Sequence, residues 1–147
     1  MKTEHDVSKS AITQAFVLCA VTPAVQENVM TSELLAKTCT PCRGGVPPLT
    51  RDEAEAYRAA TPLWTLLDGA TRIERTLRFK DFREAFTFVA RAAELAEAEG
   101  HHPDITFGWG YVTVSLYTHK IKGLHENDFI LAAKYDRLAA DLASRAA

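Results

Sequence analysis

From Thr71 to Phe79 the side chains alternate with a period of two, and from Phe82 onward they repeat with a period near that of an α-helix. A strand must therefore run almost directly into a helix. Ile73, Arg75, Leu77 and Phe79 share one side of the strand, while Arg72, Glu74, Thr76 and Arg78 share the other. Arg75 alone breaks the apolar-in, polar-out pattern. Upstream, Asp68-Gly69 separates this run from Leu63 to Leu67, and that dipeptide tolerates the positive φ angles of a tight hairpin turn. The expected unit is a half-buried antiparallel pair. Asp81 and Glu84 then give a cap signal, Phe82, Ala85, Phe86, Val89, Ala93 and Ala96 follow at helical spacing, and Gly100 supplies the stop.

The same order recurs on both sides. Thr50 and Glu53 fit a capping box for a short helix that runs to about Ala60 and ends before Pro62. After Gly100, strand signals at Ile105 to Trp109 and Tyr111 to Thr118 meet at Gly108 and Gly110. In the second of these, Val112, Val114 and Leu116 face one way, whereas Thr113, Ser115, Tyr117 and His119 face the other, which puts His119 on the polar face of a strand. From Glu126, Leu131, Tyr135, Leu138 and Leu142 define a closing amphipathic helix with Glu126 and Asp128 well placed in its first turn. The sum is αββαββα. Hairpins separated by helices imply an α+β two-layer domain, a four-stranded antiparallel sheet with helices on one face.

Residues 1–49 lack sustained periodicity and end in a Gly/Pro cluster, so they are expected to be a flexible leader or linker ahead of a domain over 50–147. Ala15 to Val21 resembles the apolar core of a secretory signal with Ala24 as a cleavage point, but Glu4 and Asp6 spoil the basic flank. A leader, or translation from a start upstream of Met30, fits better. With 147 residues, 47% of them hydrophobic, the chain suits one domain with one core. A net charge of −2 and the lack of a basic stripe argue against nucleic acid. No run reaches the roughly 18 apolar residues of a membrane span. Three cysteines, an odd number, imply a reducing, cytoplasmic setting without a disulfide framework.

Chemistry concentrates late in the chain. Three of the five histidines are His101, His102 and His119, with Glu97, Pro103 and Trp109 nearby. Imidazole titrates near neutral pH and can give or take a proton without drastic tuning. A zinc shell of three histidines is disfavoured by spacing, because neither a helical His-Glu-x-x-His pair nor a short His-x-His strand pair occurs. Cys39 and Cys42 form half a zinc knuckle with no second pair, so they read as a mobile thiol pair without a role. Trp109 and Tyr117 fit a core or rim position as readily as a stacking platform for a planar ring.

Glu97-x-x-x-His101-His102-Pro103, then Trp109, His119 and Gly123-Leu124-x-Glu126-x-Asp128, resemble the signature of the pterin-4a-carbinolamine dehydratases. Phe79 to Phe82, Ala85-Phe86 and Leu63-Trp64 resemble the same family's central helix and first strand, and the resemblance covers about residues 50 to 142. It implies the αββαββα fold and a hydro-lyase reaction, loss of water from 4a-hydroxytetrahydrobiopterin to give quinonoid dihydropterin, in support of pterin recycling. It also implies a pterin substrate, no cofactor and no metal. By position, His101 and His119 would exchange protons, His102 and Pro103 would help seat the pterin, Glu97 and Asp128 would support the histidines, and Trp109 would be an aromatic at the pocket.

Two departures stand out. His125 occupies the place where the family carries Ser or Thr, which implies a weaker cap on the last helix. Phe107 to Tyr111 is unlike the animal form, so a role as a dimerisation cofactor of a homeodomain transcription factor is not implied. A non-catalytic relative acting as a ribulose bisphosphate carboxylase assembly factor is the rival reading, and the intact His101, His102 and His119 favour the enzyme. A docking module on the same fold is a third. Sheet edges and the consecutive Phe129, Ile130 and Leu131 of the closing helix predict a homodimer or homotetramer.

Overall fold

The computed structural model describes residues 23–41 and 44–146, with helices α1 (Pro23–Ala36), α2 (Arg51–Ala60), α3 (Phe82–Glu99) and α4 (Glu126–Ala146). The strands are β1 (Thr65–Leu67), β2 (Arg72–Arg78), β3 (Asp104–Gly108) and β4 (Tyr111–Leu116), and a 3-10 turn spans His119–Ile121. They form one antiparallel sheet in the order β1-β2-β4-β3. The α+β architecture read from periodicity is the observed one. Ile73 pairs with Leu116 and Leu77 with Val112, and all four are buried, while Thr76 and Thr113 on the opposite face share a 2.9 Å hydroxyl contact. One face is thus covered by helices and the other left open. No helix among the described residues is long and apolar enough to cross a membrane.

Local chemistry sets the helix ends. Thr50 and Glu53 complete the capping box, and the Asp81 carboxylate accepts the Glu84 amide at 2.9 Å. Gly100 adopts a φ of 63°, and the next amide, of His101, returns to the Ala96 carbonyl at 3.2 Å. This left-handed stop turns the chain sharply, so that His101 leaves α3 in a fixed direction. Arg75 is also accounted for. It faces the helices, forms an ion pair with Asp136 of α4, and Trp64 Nε1 donates to the same carboxylate at 2.8 Å. Burial pushes the Asp136 carboxyl above its ordinary value, and the Arg75 charge and both hydrogen bonds oppose that shift.

Several details depart from the sequence reading. The β1–β2 connection is a four-residue loop with positive φ at Asp68, Gly69 and Ala70, wider than a two-residue turn. The buried stripe of α3 is Ala85, Phe88, Ala92 and Ala96; Phe82 and Phe86 are exposed and lie against Phe107 of β3. Phe82 and Phe86 form one aromatic row along this helix, and Phe88, which faces Tyr135 and Phe79, is the ring taken inside.

Within residues 1–49, expected to be a flexible leader or linker, the described residues hold α1. Thr31 Oγ1 donates to the Ala60 carbonyl at 2.7 Å, and Leu34 and Cys39 are both buried. The mobile thiol pair is corrected at Cys39, whose thiol is pushed up to about 12 by burial. Cys42, Cys19 and the Ala15 to Val21 stretch lie outside the described residues. Phe129, Ile130 and Leu131 are spent inside the protomer, where Phe129 stacks on Tyr57 at 5.1 Å. They leave no second apolar face at that point of α4, and that ground for an interface on the closing helix falls away.

Candidate active site

Two helix ends meet at one buried carboxylate. Asp128, in the first turn of α4, is fully buried, and its Oδ1 lies 2.6 Å from Nε2 of His101. Its Oδ2 accepts from Thr118 Oγ1 at 3.0 Å and from the His125 amide at 2.8 Å. A carboxylate only accepts, so its other donors and its charge assign the shared proton to Nε2 of His101. The free Nδ1 of that ring is then a proton acceptor. Such a pairing fixes the tautomer and stabilises the imidazolium when it forms.

His125 contributes more than its replacement of Ser or Thr suggested. Its Nδ1 accepts the Asn127 amide at 3.2 Å while Asp128 reaches back to its own amide, so imidazole performs the capping expected of a hydroxyl. The expectation of a weakened cap is therefore corrected.

His119 sits on the 3-10 turn beyond β4, which ends at Leu116, rather than on the strand. The turn is closed by the Thr118 amide donating to the Gly123 carbonyl at 2.9 Å. The His119 ring is exposed and lies on Tyr117, with centroids 4.0 Å apart at 44°. His102 is also exposed and meets Glu97 at 3.0 Å, a pairing that water weakens. Glu97 thus supports His102 and not His101. An open cleft of about 440 Å³ is lined by Pro41, Gly100 to Asp104 and Tyr117 to Lys120. It brings His101, His102, His119 and Pro103 together.

Trp109 is not among them. β3 carries the chain about 17 Å from Pro103 before the hairpin, and Trp109 lies there with Phe82, Arg83 and Phe86, 75% exposed. The reading of Trp109 as a pocket aromatic is corrected; Tyr117 is the aromatic in the cleft. A larger cavity, about 760 Å³, opens at the far end of β2 beside the ends of α3 and α4, but it contains no histidine. Size alone does not locate the chemistry. Among the described residues no group of three or more His, Cys, Asp or Glu side chains could hold a metal ion. Sequence reasoning missed Thr118, Pro41 and Asn127, whose contacts join residues far apart in the chain.

The profile of the family described as Pterin 4 alpha carbinolamine dehydratase matches residues 47–138. The chain belongs to that family. A Methylococcus capsulatus protein bearing the name "Putative pterin-4-alpha-carbinolamine dehydratase" is 60% identical over 108 residues, which is 74% of this chain and 95% of the relative. An Azoarcus protein of the same name is 58% identical over 112 residues, covering 76% and 96% respectively. Among solved structures, a transcriptional coactivator/pterin dehydratase from Brucella melitensis superposes with a TM-score of 0.60 at 38% identity, over 63% of this chain and 98% of its own. The family match thus spans all four strands and, apart from Pro41, the residues that line the histidine cleft.

Proposed function

We propose that this chain dehydrates 4a-hydroxytetrahydropterins, with His101 and His119 as the proton-transfer groups. The observation that carries this reading is the His101–Asp128 pair at 2.6 Å beside a cleft that also presents His119. The elimination breaks the C4a–O bond, removes the proton on N5 and forms the N5=C4a double bond, with water and the quinonoid dihydropterin as products. It needs one base and one acid.

In the proposed roles, Nδ1 of His101 takes the N5 proton, and Asp128 stabilises the resulting imidazolium. His119, solvated and stacked on Tyr117, delivers the proton to the departing hydroxyl. Tyr117 offers an aromatic wall to the planar ring, and His102 and Pro103 line the same cleft. No redox step and no metal enters this route. Purified chain added to freshly generated 4a-hydroxytetrahydrobiopterin is expected to speed the appearance of quinonoid dihydropterin absorbance over buffer alone. An unaltered rate would remove this function.

A further inference from the structure

The family match begins at residue 47, yet a short stretch before it is tied to the centre of the site. The Thr40 amide donates to Asn127 Oδ1 at 3.0 Å, and Asn127 Nδ2 returns a bond to the Thr40 carbonyl at 2.7 Å. The side-chain amide of Asn127 thus pairs with one backbone unit as a neighbouring strand would. Cys39 Sγ donates to the Asn127 carbonyl at 3.6 Å, and the Cys39 amide donates to Glu99 Oε2 at 2.9 Å. Glu99 is also paired with Lys134, and Lys37 with Glu126. Asn127 directly precedes Asp128, and Glu99 stands just before Gly100 and His101. This one stretch therefore ties the C-terminus of α3, through Cys39 and Glu99, to the N-terminus of α4, through Lys37, Cys39 and Thr40, beside the paired His101 and Asp128.

We propose that Cys39, Thr40 and Pro41 form a strap that positions the His101–Asp128 pair and walls the cleft beside it. Pro41 lines the histidine cleft on one side. On the other, Thr40 and Pro41 face Thr118 and His125 across a small cavity of about 190 Å³, so both remaining donors to Asp128 lie against the strap. Asn127 is 1% exposed, and its Oδ1 and Nδ2 would lose the bonds made to Thr40 if the strap moved away, at the cost of exchanging buried hydrogen bonds. The first turn of α4 would then shift to find partners, and a displacement of about 1 Å in such a pair costs up to about hundredfold in rate. Thr40 and Asn127 act through Asp128 and are positioning residues.

The activity arm of this inference rests on the proposed dehydratase reading; the spectroscopic arm does not. In the full chain, Asn127→Leu keeps the branched skeleton of four heavy atoms and removes the amide pairing. It is expected to lower kcat about tenfold to hundredfold and to shift the imidazole NMR signals and pH titration of His101. Leu34→Ala, which removes packing from the same N-terminal stretch, is expected to lower the melting temperature while leaving kcat and the His101 signals in place. Wild-type His101 signals and kcat in Asn127→Leu, or equal losses of kcat in both variants, would overturn the strap. If Asn127→Leu does not fold, Thr40→Pro removes the amide and hydroxyl donors to Asn127 Oδ1 without altering α4 and carries the same expectation, with wild-type values overturning it. If the wild-type chain shows no dehydration at all, the function falls, and the His101 titration still decides the strap.

Discussion

Replacing Asp128 by Asn probes the centre of the proposed chemistry with almost no change of shape. The carboxylate accepts three hydrogen bonds, from His101, Thr118 and the His125 amide, in a fully buried position. An amide oxygen on the Oδ2 side keeps Thr118 and His125 satisfied, which turns the amide nitrogen toward His101. Two donors then face each other. The imidazole resolves the conflict by moving its proton to Nδ1, the atom the mechanism needs as a base. The expected loss in kcat is that of general acid–base catalysis, about 10² to 10⁴-fold, or about 3–5 kcal/mol of transition-state stabilisation. Three charge-assisted bonds of about 1.5–3 kcal/mol each become neutral ones of about 0.5–1.5, so about 3 kcal/mol of stability is lost. At about 3 °C per kcal/mol for a chain of this size, the melting temperature falls by about 10 °C. Turnover by absorbance and melting by circular dichroism measure the two effects. A variant that melts lower and turns over at the wild-type rate would refute the catalytic role of the pair.

His125→Ala removes the ring that caps Asn127 and is expected to cost about 1 kcal/mol by thermal melting, with His125→Ser recovering most of it; equal stability of all three would contradict the cap. Cys39, pushed up to about 12 by burial, is expected to resist thiol reagents at pH 8 in a Cys19→Ser, Cys42→Ser background until denaturant is added. Its raised value also means that the folded state holds a proton the unfolded chain releases, so stability should decline as pH rises above 9.0 toward 12. Burial raises the Glu99 carboxyl, but the Lys134 and Cys39 bonds outweigh it and leave the group below its ordinary 4.5. It therefore contributes stability above that value which is lost as pH falls below it, and Glu99→Gln should flatten the acid limb of the melting profile.

Much of the fold was legible because its signals are local. Thr50 with Glu53, Asp81, and Gly100 each set a helix boundary through contacts within a turn, and the alternation in β2 and β4 reports directly which face is buried. The phase of α3 was not legible, since Phe82 and Phe86 compete with Phe88 and only Tyr135, far along the chain, decides between them. His101, His102 and His119 could be read as a set, and so could Asp128 as a carboxylate for one of them. The partner of each was less visible. Whether Glu97 or Asp128 meets His101 depends on how α3 and α4 cross, and spacing places Trp109 near the histidines although a straight strand carries it away. The N-terminal stretch hid its role because Cys39 and Thr40 reach partners 60 and 87 residues away through backbone groups that carry no sequence signature.

Stopped-flow decay of 4a-hydroxytetrahydrobiopterin, followed side by side with the wild-type chain, His101→Ala and His119→Ala, tests the central claim most directly. His119 is exposed and makes little of the core, so its variant should melt like the wild type and yet lose about 10² to 10⁴-fold in turnover. His101→Ala should lose a comparable factor and also melt lower, because it leaves Asp128 buried with a missing partner. Near-normal decay rates with both single variants would contradict the assignment of the two histidines as the acid and base of the elimination.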